Sequence, residues 1–141
     1  MEYLRIDSST LVFVITPSLE ITSSVSIESN FETFNSTAAK LKHQAIFSES
    51  IQIAVSDYAA ESIDRLGNII DRVEMAKNID SLYPNVIFGF SVFSQGSYSI
   101  NEIGLMGYQR NECILKINPP SAIFKSAANS ILVLSIITVT F

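Results

Sequence analysis

The chain has few of the residues from which enzymes and metal centres are built. Its 141 residues include one cysteine and one histidine, and only 16% of them are charged. Cys113 has no second cysteine with which to close an intramolecular disulfide, and no cluster of cysteine and histidine has the spacing of a zinc site. We expect Cys113 to be a structural thiol, and we expect the chain to bind neither a metal ion nor a cofactor.

Groups that could transfer a proton or attack a substrate are also scarce. His43 lies off the apolar stripe of the helix that the surrounding sequence predicts, and no GxSxG motif marks a nucleophilic serine. Gly104 and Gly107 lack the helix start and the further glycines of a phosphate-binding loop. The carboxylates of residues 57–71 alternate with arginines at helical spacing, which is typical of a solvated helix face. The sequence therefore predicts a protein that is not an enzyme.

Long apolar runs are missing as well. The run LVFVI at residues 11–15 is too short, and has the wrong flanks, for a secretory signal. No segment approaches the roughly 20 apolar residues of a membrane-spanning helix. We expect no membrane partner, and we expect the chain to be made in the cytoplasm. Its length suits one domain, residues 1–141, because neither a repeat nor a low-complexity linker divides it.

Positive charges are few and dispersed. The formal net charge is −5, and the nine lysines and arginines form no cluster. Nucleic-acid binding needs such clusters, so we expect no nucleic-acid partner. At the same time, 48% of the residues are hydrophobic. A chain with so few charges has difficulty covering its apolar surface, so we expect a homo-oligomer with protein partners in a larger assembly.

The first part of the sequence contains a β pattern. Residues 11–16, LVFVIT, predict a buried strand that ends at Pro17. Residues 19–28 alternate between apolar and polar side chains, which is typical of a half-exposed strand. We expect the two strands to form a hairpin around Pro17 and Ser18.

The last part of the sequence is also predicted to be β. The first strand after Pro84 has several apolar side chains on one face, those of Val86, Phe88, Phe90 and Val92. Further strands are expected at 98–108 and 113–117. The final segment, ILVLSIITVTF, is apolar on both faces, which is typical of a central strand.

Two segments between these parts have helical periodicity. Apolar residues from Phe31 to Ala45 recur at steps of three and four, and Ser29 with Glu32 fits a capping box, so a helix is expected at about 30–45. A short strand is expected at 50–55. A second stripe favours a helix at 58–72. The rival interpretation breaks the chain at Gly67 and makes 69–76 a strand, so residues 69–79 stay open between helix and strand.

These patterns predict an α+β fold that is mainly β, an antiparallel sheet or sandwich with one or two helices. Within residues 84–141 the pieces follow a definite order. PNVIFGFSVF precedes SINEIGLMG, then come a turn at 108–111, a short apolar strand at 114–117, the pair Pro119 and Pro120, and a final apolar strand. This order resembles the N-terminal, baseplate-attachment region of bacteriophage tail-collar and tail-fibre proteins. The turn departs from the family pattern, because Arg110 and Asn111 replace a glycine.

The resemblance implies a structural component of a phage-type virion tail, baseplate or fibre-attachment region that acts by protein–protein contact. A receptor-binding or carbohydrate-binding module of such a particle, or a head–neck connector, is the alternative. The implied structural motif is Glu102, Ile103, Gly104, Leu105, Pro119 and Pro120. Gly104 would permit close packing or a bulge, and the prolines would stop a strand. Candidate aromatic anchors for a partner are Phe47, Tyr58, Tyr83 and Tyr98.

Overall fold

A computed structural model describes residues 2–141, and it confirms the α+β, mainly β class. The described residues form eleven strands and one helix. In chain order the elements are β1 (Leu4–Ile15), β2 (Ile21–Thr33), α1 (Ser36–Phe47), β3 (Ile51–Ser56), β4 (Ile69–Glu74), β5 (Ala76–Ile79), β6 (Val86–Phe93), β7 (Tyr98–Ile100), β8 (Glu102–Gly107), β9 (Cys113–Lys116), β10 (Ile123–Lys125) and β11 (Ser130–Thr140).

The strands pair antiparallel in three sheets. A five-stranded sheet has the order β2-β1-β11-β6-β5, a four-stranded sheet has the order β4-β3-β8-β9, and β7 pairs with β10. As the sequence predicts, the last strand is central, because β11 lies between β1 and β6.

One face of each larger sheet and one side of the helix share a single core. The inward side chains come from alternate residues of each strand, because successive side chains of a strand point to opposite faces. Residues from both sheets and the helix join this core: Leu4, Ile6, Ala39, Ile46, Ile53, Ile103, Leu105 and Ile131. The opposite faces of the two larger sheets differ, because Leu66 packs on the four-stranded sheet whereas large apolar side chains of the five-stranded sheet are exposed.

The predicted hairpin is confirmed. β1 and β2 pair from Leu4 opposite Thr33 to Ile15 opposite Ile21, with a bulge near the turn. In the turn, the Leu19 amide donates to the Thr16 carbonyl at 2.9 Å, and Leu19 has a positive φ of 65°. A left-handed backbone at a residue other than glycine costs about 1 kcal/mol, which the long strand pairing offsets.

The helix begins later than the sequence predicts. β2 continues to Thr33, so the predicted start at residue 30 and the capping box of Ser29 with Glu32 are wrong. The N-cap is Asn35, whose side-chain oxygen accepts from the Ala38 amide at 3.0 Å. The strand prevails because pairing with β1 satisfies the backbone hydrogen bonds of residues 29–33.

The second predicted helix, at 58–72, is also wrong. Residues 57–68 form a loop, and Ile69–Glu74 form β4 against β3. The open choice for 69–79 is therefore decided in favour of strands, β4 and β5 on either side of Met75. Gly67 marks a close backbone approach, because a Cβ there would collide with the carbonyl group of Tyr58. The stripe that favoured a helix could not reveal this contact.

Candidate functional site

The strand part of the predicted motif, residues 102–105, lies inside the protein. Glu102, Ile103, Gly104 and Leu105 belong to β8, and all four are fully or almost fully buried. The Glu102 carboxylate accepts from the Lys116 ammonium at 2.6 Å and from the Gly67 amide at 2.9 Å. A buried charge pair of this kind is stable only when its remaining polar atoms are also hydrogen-bonded, as they are here. The pair therefore ties the 57–68 loop to β8.

The loop at 57–68 covers the outer face of the four-stranded sheet. Lys116 also donates to the Ala60 carbonyl at 3.3 Å, and the Cys113 amide donates to the Asp64 carbonyl at 2.6 Å. Leu66 of the loop packs on the small outer cluster of Ala54, Met106 and Cys113.

Gly104 leaves room for this cover. A Cβ at Gly104 would lie 3.0 Å from the Cys113 sulfur and 3.1 Å from a methyl group of Leu66. Real Cβ atoms rarely come so close, so a side chain there would push the loop away from the sheet. The four motif residues of β8 are thus placed for internal packing and offer no surface to a partner.

The two prolines lie where a strand is expected to stop. Ile117, just beyond β9, still donates its amide to the Ile103 carbonyl at 2.7 Å. Pro119 and Pro120 follow, and neither has an amide hydrogen with which to continue the pairing. They lie in the connection that leads to β10.

The cysteine is buried, and two lysines hydrogen-bond to backbone carbonyls. Cys113 is buried, and burial raises the pKa of its thiol to about 11. Lys42 donates to the carbonyls of Cys113 and Ile114, both at 2.8 Å, and desolvation lowers the pKa of its ammonium. Lys77 donates to the carbonyls of Ile46 and Glu49 at the end of the helix, and burial lowers its pKa too.

The remaining candidates are dispersed. The His43 ring packs against Phe47 and Phe141, with ring centroids 4.6 and 5.1 Å apart. Within residues 2–141, no three histidine, cysteine, aspartate or glutamate side chains converge on a possible metal site. No helix in the described part of the chain is long and apolar enough to cross a membrane.

Of the four proposed anchors, Tyr58 and Tyr83 are exposed, while Phe47 and Tyr98 are half-buried in other segments.

The most prominent surface feature is one that sequence reasoning missed. On the five-stranded sheet, alternate residues of β1, β11 and β6 point away from the core, and many of them are large and apolar. We call this surface the outer face. Its exposed members are Leu11 (42% exposed), Phe88 (47%), Phe90 (51%), Val92 (46%), Leu134 (36%) and Ile136 (46%).

The strand register brings these side chains together. Leu134 lies opposite Leu11 on one side and opposite Phe90 on the other, and Ile136 lies opposite Phe88. Cross-strand neighbours of this kind are close enough to touch. They line an open groove of about 540 Å³ along the middle of the sheet.

The ion pairs of the outer face lie toward one end. Arg5 contacts Asp7 at 3.0 Å and Glu32 at 3.3 Å, and Glu28 accepts from the Ser9 hydroxyl. At the opposite end, Ile15 pairs with Ile21 and Ser130, none of which is charged. The apolar middle is therefore bounded by an ionic end and a neutral end.

A signal for this surface is present in the sequence. The apolar side chains at alternate positions 86–92 do share one face of a strand, as predicted, but it is the exposed face, and Ile87 and Phe93 point inward. β11 is apolar on both faces because one face meets the core and the other forms the outer face. Apolarity on both faces indicates burial on both, and within residues 2–141 only one face is covered.

Comparison with known proteins gives no match. No protein-family model matches the chain, and neither does any curated protein or solved structure.

Proposed function

We propose that the protein is a structural component of a multiprotein assembly and acts through the outer face of its five-stranded sheet. The observation that carries this proposal is the row of large apolar side chains that the sheet leaves exposed across β1, β11 and β6. Each Å² of apolar surface removed from water contributes about 25 cal/mol. A partner that covers this face therefore gains a substantial driving force without any charge pair.

The assembly that we propose is a phage-type virion tail, baseplate or fibre-attachment region. The support is the resemblance of residues 84–141 to the N-terminal region of tail-collar and tail-fibre proteins. The resembling segment supplies β6 and β11, and these strands contribute Phe88, Phe90, Leu134 and Ile136 to the outer face. The motif at Glu102–Leu105 has the internal role of fixing the second sheet, so the contact surface is expected elsewhere in the same segment.

Cosedimentation with virus particles tests this proposal. Particles released from cells that encode the chain are separated on a density gradient, and peptides of the chain are quantified in every fraction. We expect the chain to follow the tails at a constant ratio to the major tail protein. Recovery of all of it in the fractions of free protein would contradict the proposal.

A further inference from the structure

We propose that the outer face packs against the same face of a second copy of this chain, so that two five-stranded sheets stack in a two-fold symmetric dimer. This inference rests on the proposed function only in that both use the outer face. It adds the occupant of that face and the relative orientation of the two copies.

The size of the outer face suits a dimer. At about 3.3 Å per residue and about 4.8 Å between strands, the five strands cover a plane of roughly 760 Å². A stable interface buries roughly 800 Å² on each partner. One copy can therefore cover the whole face of another.

The chemistry of the face also favours a like partner. The centre of the face, the row through Phe90, Leu134 and Leu11, is apolar and without formal charge, so a second copy centred there brings no like charge against it. A partner with a charged contact surface would have to desolvate those charges against Phe90 and Leu134 without pairing them, which is costly. Two stacked sheets lie about 10 Å apart and interdigitate their side chains. The groove between the rows of the outer face offers room for such interdigitation.

The distribution of charge determines the orientation. If the two-fold axis ran along the strands, the ionic ends of both copies would lie at the same end of the interface. The carboxylates of Asp7, Glu28 and Glu32 from both copies would then lie close together. An axis perpendicular to the strands, in the plane of the interface, places the ionic end of each face over the neutral end of the other, near Ile15 and Ser130. This arrangement keeps the like charges furthest apart, so the geometry points to strands that run in opposite directions across the interface.

The outer face of the other large sheet cannot take this role. The 57–68 loop covers it, and the loop is fixed by the Glu102–Lys116 pair. Within residues 2–141, the four-stranded sheet is covered and the five-stranded sheet presents a bare face to a partner.

Light scattering with chromatography across a dilution series tests the dimer. We expect the purified chain to be a dimer that dissociates on dilution, with little dependence on salt because the centre of the interface carries no charge. We expect Phe90→Glu and Leu134→Glu to weaken dimerisation roughly 30-fold or more, as loss of a central contact does. The milder Phe90→Thr, which suits a strand, should weaken it in the same direction.

The matched control is Leu82→Glu, which changes an equally apolar and 79% exposed residue in the turn before β6. We expect this variant to dimerise like the unaltered chain. Circular dichroism shows whether each variant is folded, and Phe90→Thr remains informative if a glutamate variant is not. A monomer at every concentration would overturn the proposal, and so would a dimer that Phe90→Glu and Phe90→Thr leave intact.

Cross-linking with a short bis-maleimide tests the orientation in a chain whose Cys113 has been changed to alanine. Leu134→Cys, at the centre, should cross-link between copies, and Thr140→Cys, at the ionic end, should not. Efficient cross-linking through Thr140→Cys would overturn the reversed orientation.

The result is separable from that of the gradient experiment. A dimer that does not follow the particles would support the inference and contradict the proposed function. A monomer that follows the particles, and is released from them by Phe90→Glu, would overturn the inference and support the proposed function.

Discussion

The two larger sheets of this protein share one core, but one has a covered outer face and the other an exposed outer face. The four-stranded sheet has mostly small outer residues, Ala54, Gly104 and Cys113 beside Met106, and a loop of its own chain covers them. The five-stranded sheet has large ones, such as Phe88 and Phe90, and no segment of residues 2–141 covers their face. Small side chains let a backbone segment approach, whereas large apolar ones at the surface are suited to a partner. The comparison separates a face used for internal packing from the face that we propose as a contact surface.

The largest expected effect comes from breaking the cover of the four-stranded sheet. Glu102→Ala leaves the Lys116 ammonium buried without its partner and the Gly67 amide without an acceptor. We expect the free energy of unfolding to fall by about 3–5 kcal/mol, the usual result of removing half of a buried pair. Urea denaturation measures it. Glu74→Ala, an exposed carboxylate on β4 of the same sheet, is the control and should change stability by less than about 0.5 kcal/mol.

A smaller effect is expected when the space under the loop is filled. Gly104→Ala brings a methyl group against Cys113, Leu66 and Met106, so we expect a loss of about 1–3 kcal/mol. The same change should speed the reaction of Cys113 with a thiol reagent, because the loop is lifted. Ser26→Ala on the outer face of the other sheet is the control. Equal stability and equal thiol reactivity in Gly104→Ala and the unaltered chain would show that the loop does not pack closely here.

Alkaline pH should weaken the same region. Burial raises the pKa of the Cys113 thiol from its ordinary value of 9.0 to about 11, so the folded state holds a proton that the unfolded state has lost. Stability is therefore fully present below about pH 9 and falls as pH rises toward 11, by at most roughly 1.4 kcal/mol per pH unit. Urea denaturation of the unaltered chain and Cys113→Ala at about pH 8 and about pH 10.5, on either side of the ordinary thiol pKa, isolates this group. Parallel behaviour of the two proteins would contradict the assignment.

The smallest effect is expected on the bare face. Leu134→Thr replaces a partly exposed apolar residue with one that also suits a strand, so the stability of the isolated chain should change by less than about 1 kcal/mol. Thermal unfolding at a concentration below that of dimer dissociation measures it. The matched change on the core side of the same strand is Val133→Thr, which alters a side chain that is 1% exposed and should cost more. If both changes cost the same, the two faces of β11 would not differ as proposed.

The sequence by itself determined the local pattern of much of the chain. Alternation at 19–28 predicted a strand, Pro17 marked the hairpin, and the apolar run at the C-terminus predicted a central strand. These features depend on the period of the side chains and on the chemistry of proline, both of which are local properties. The prediction that residues 86, 88, 90 and 92 share one face was right for the same reason.

Only the tertiary structure decided which segments cover which faces. The stripe at 58–72 fits a helix in isolation, yet its end pairs with β3, and Gly67 binds Glu102 of β8 while packing against Tyr58 of its own loop. Likewise, the period of β6 places Phe88 and Phe90 together but does not say whether a loop or the solvent lies beyond them. The pairing of Glu102 with Lys116 joins residues from neighbouring strands, and the loop that it holds lies far away in the sequence. Local period fixes the direction of each side chain, whereas long-range packing alone determines what each side chain meets.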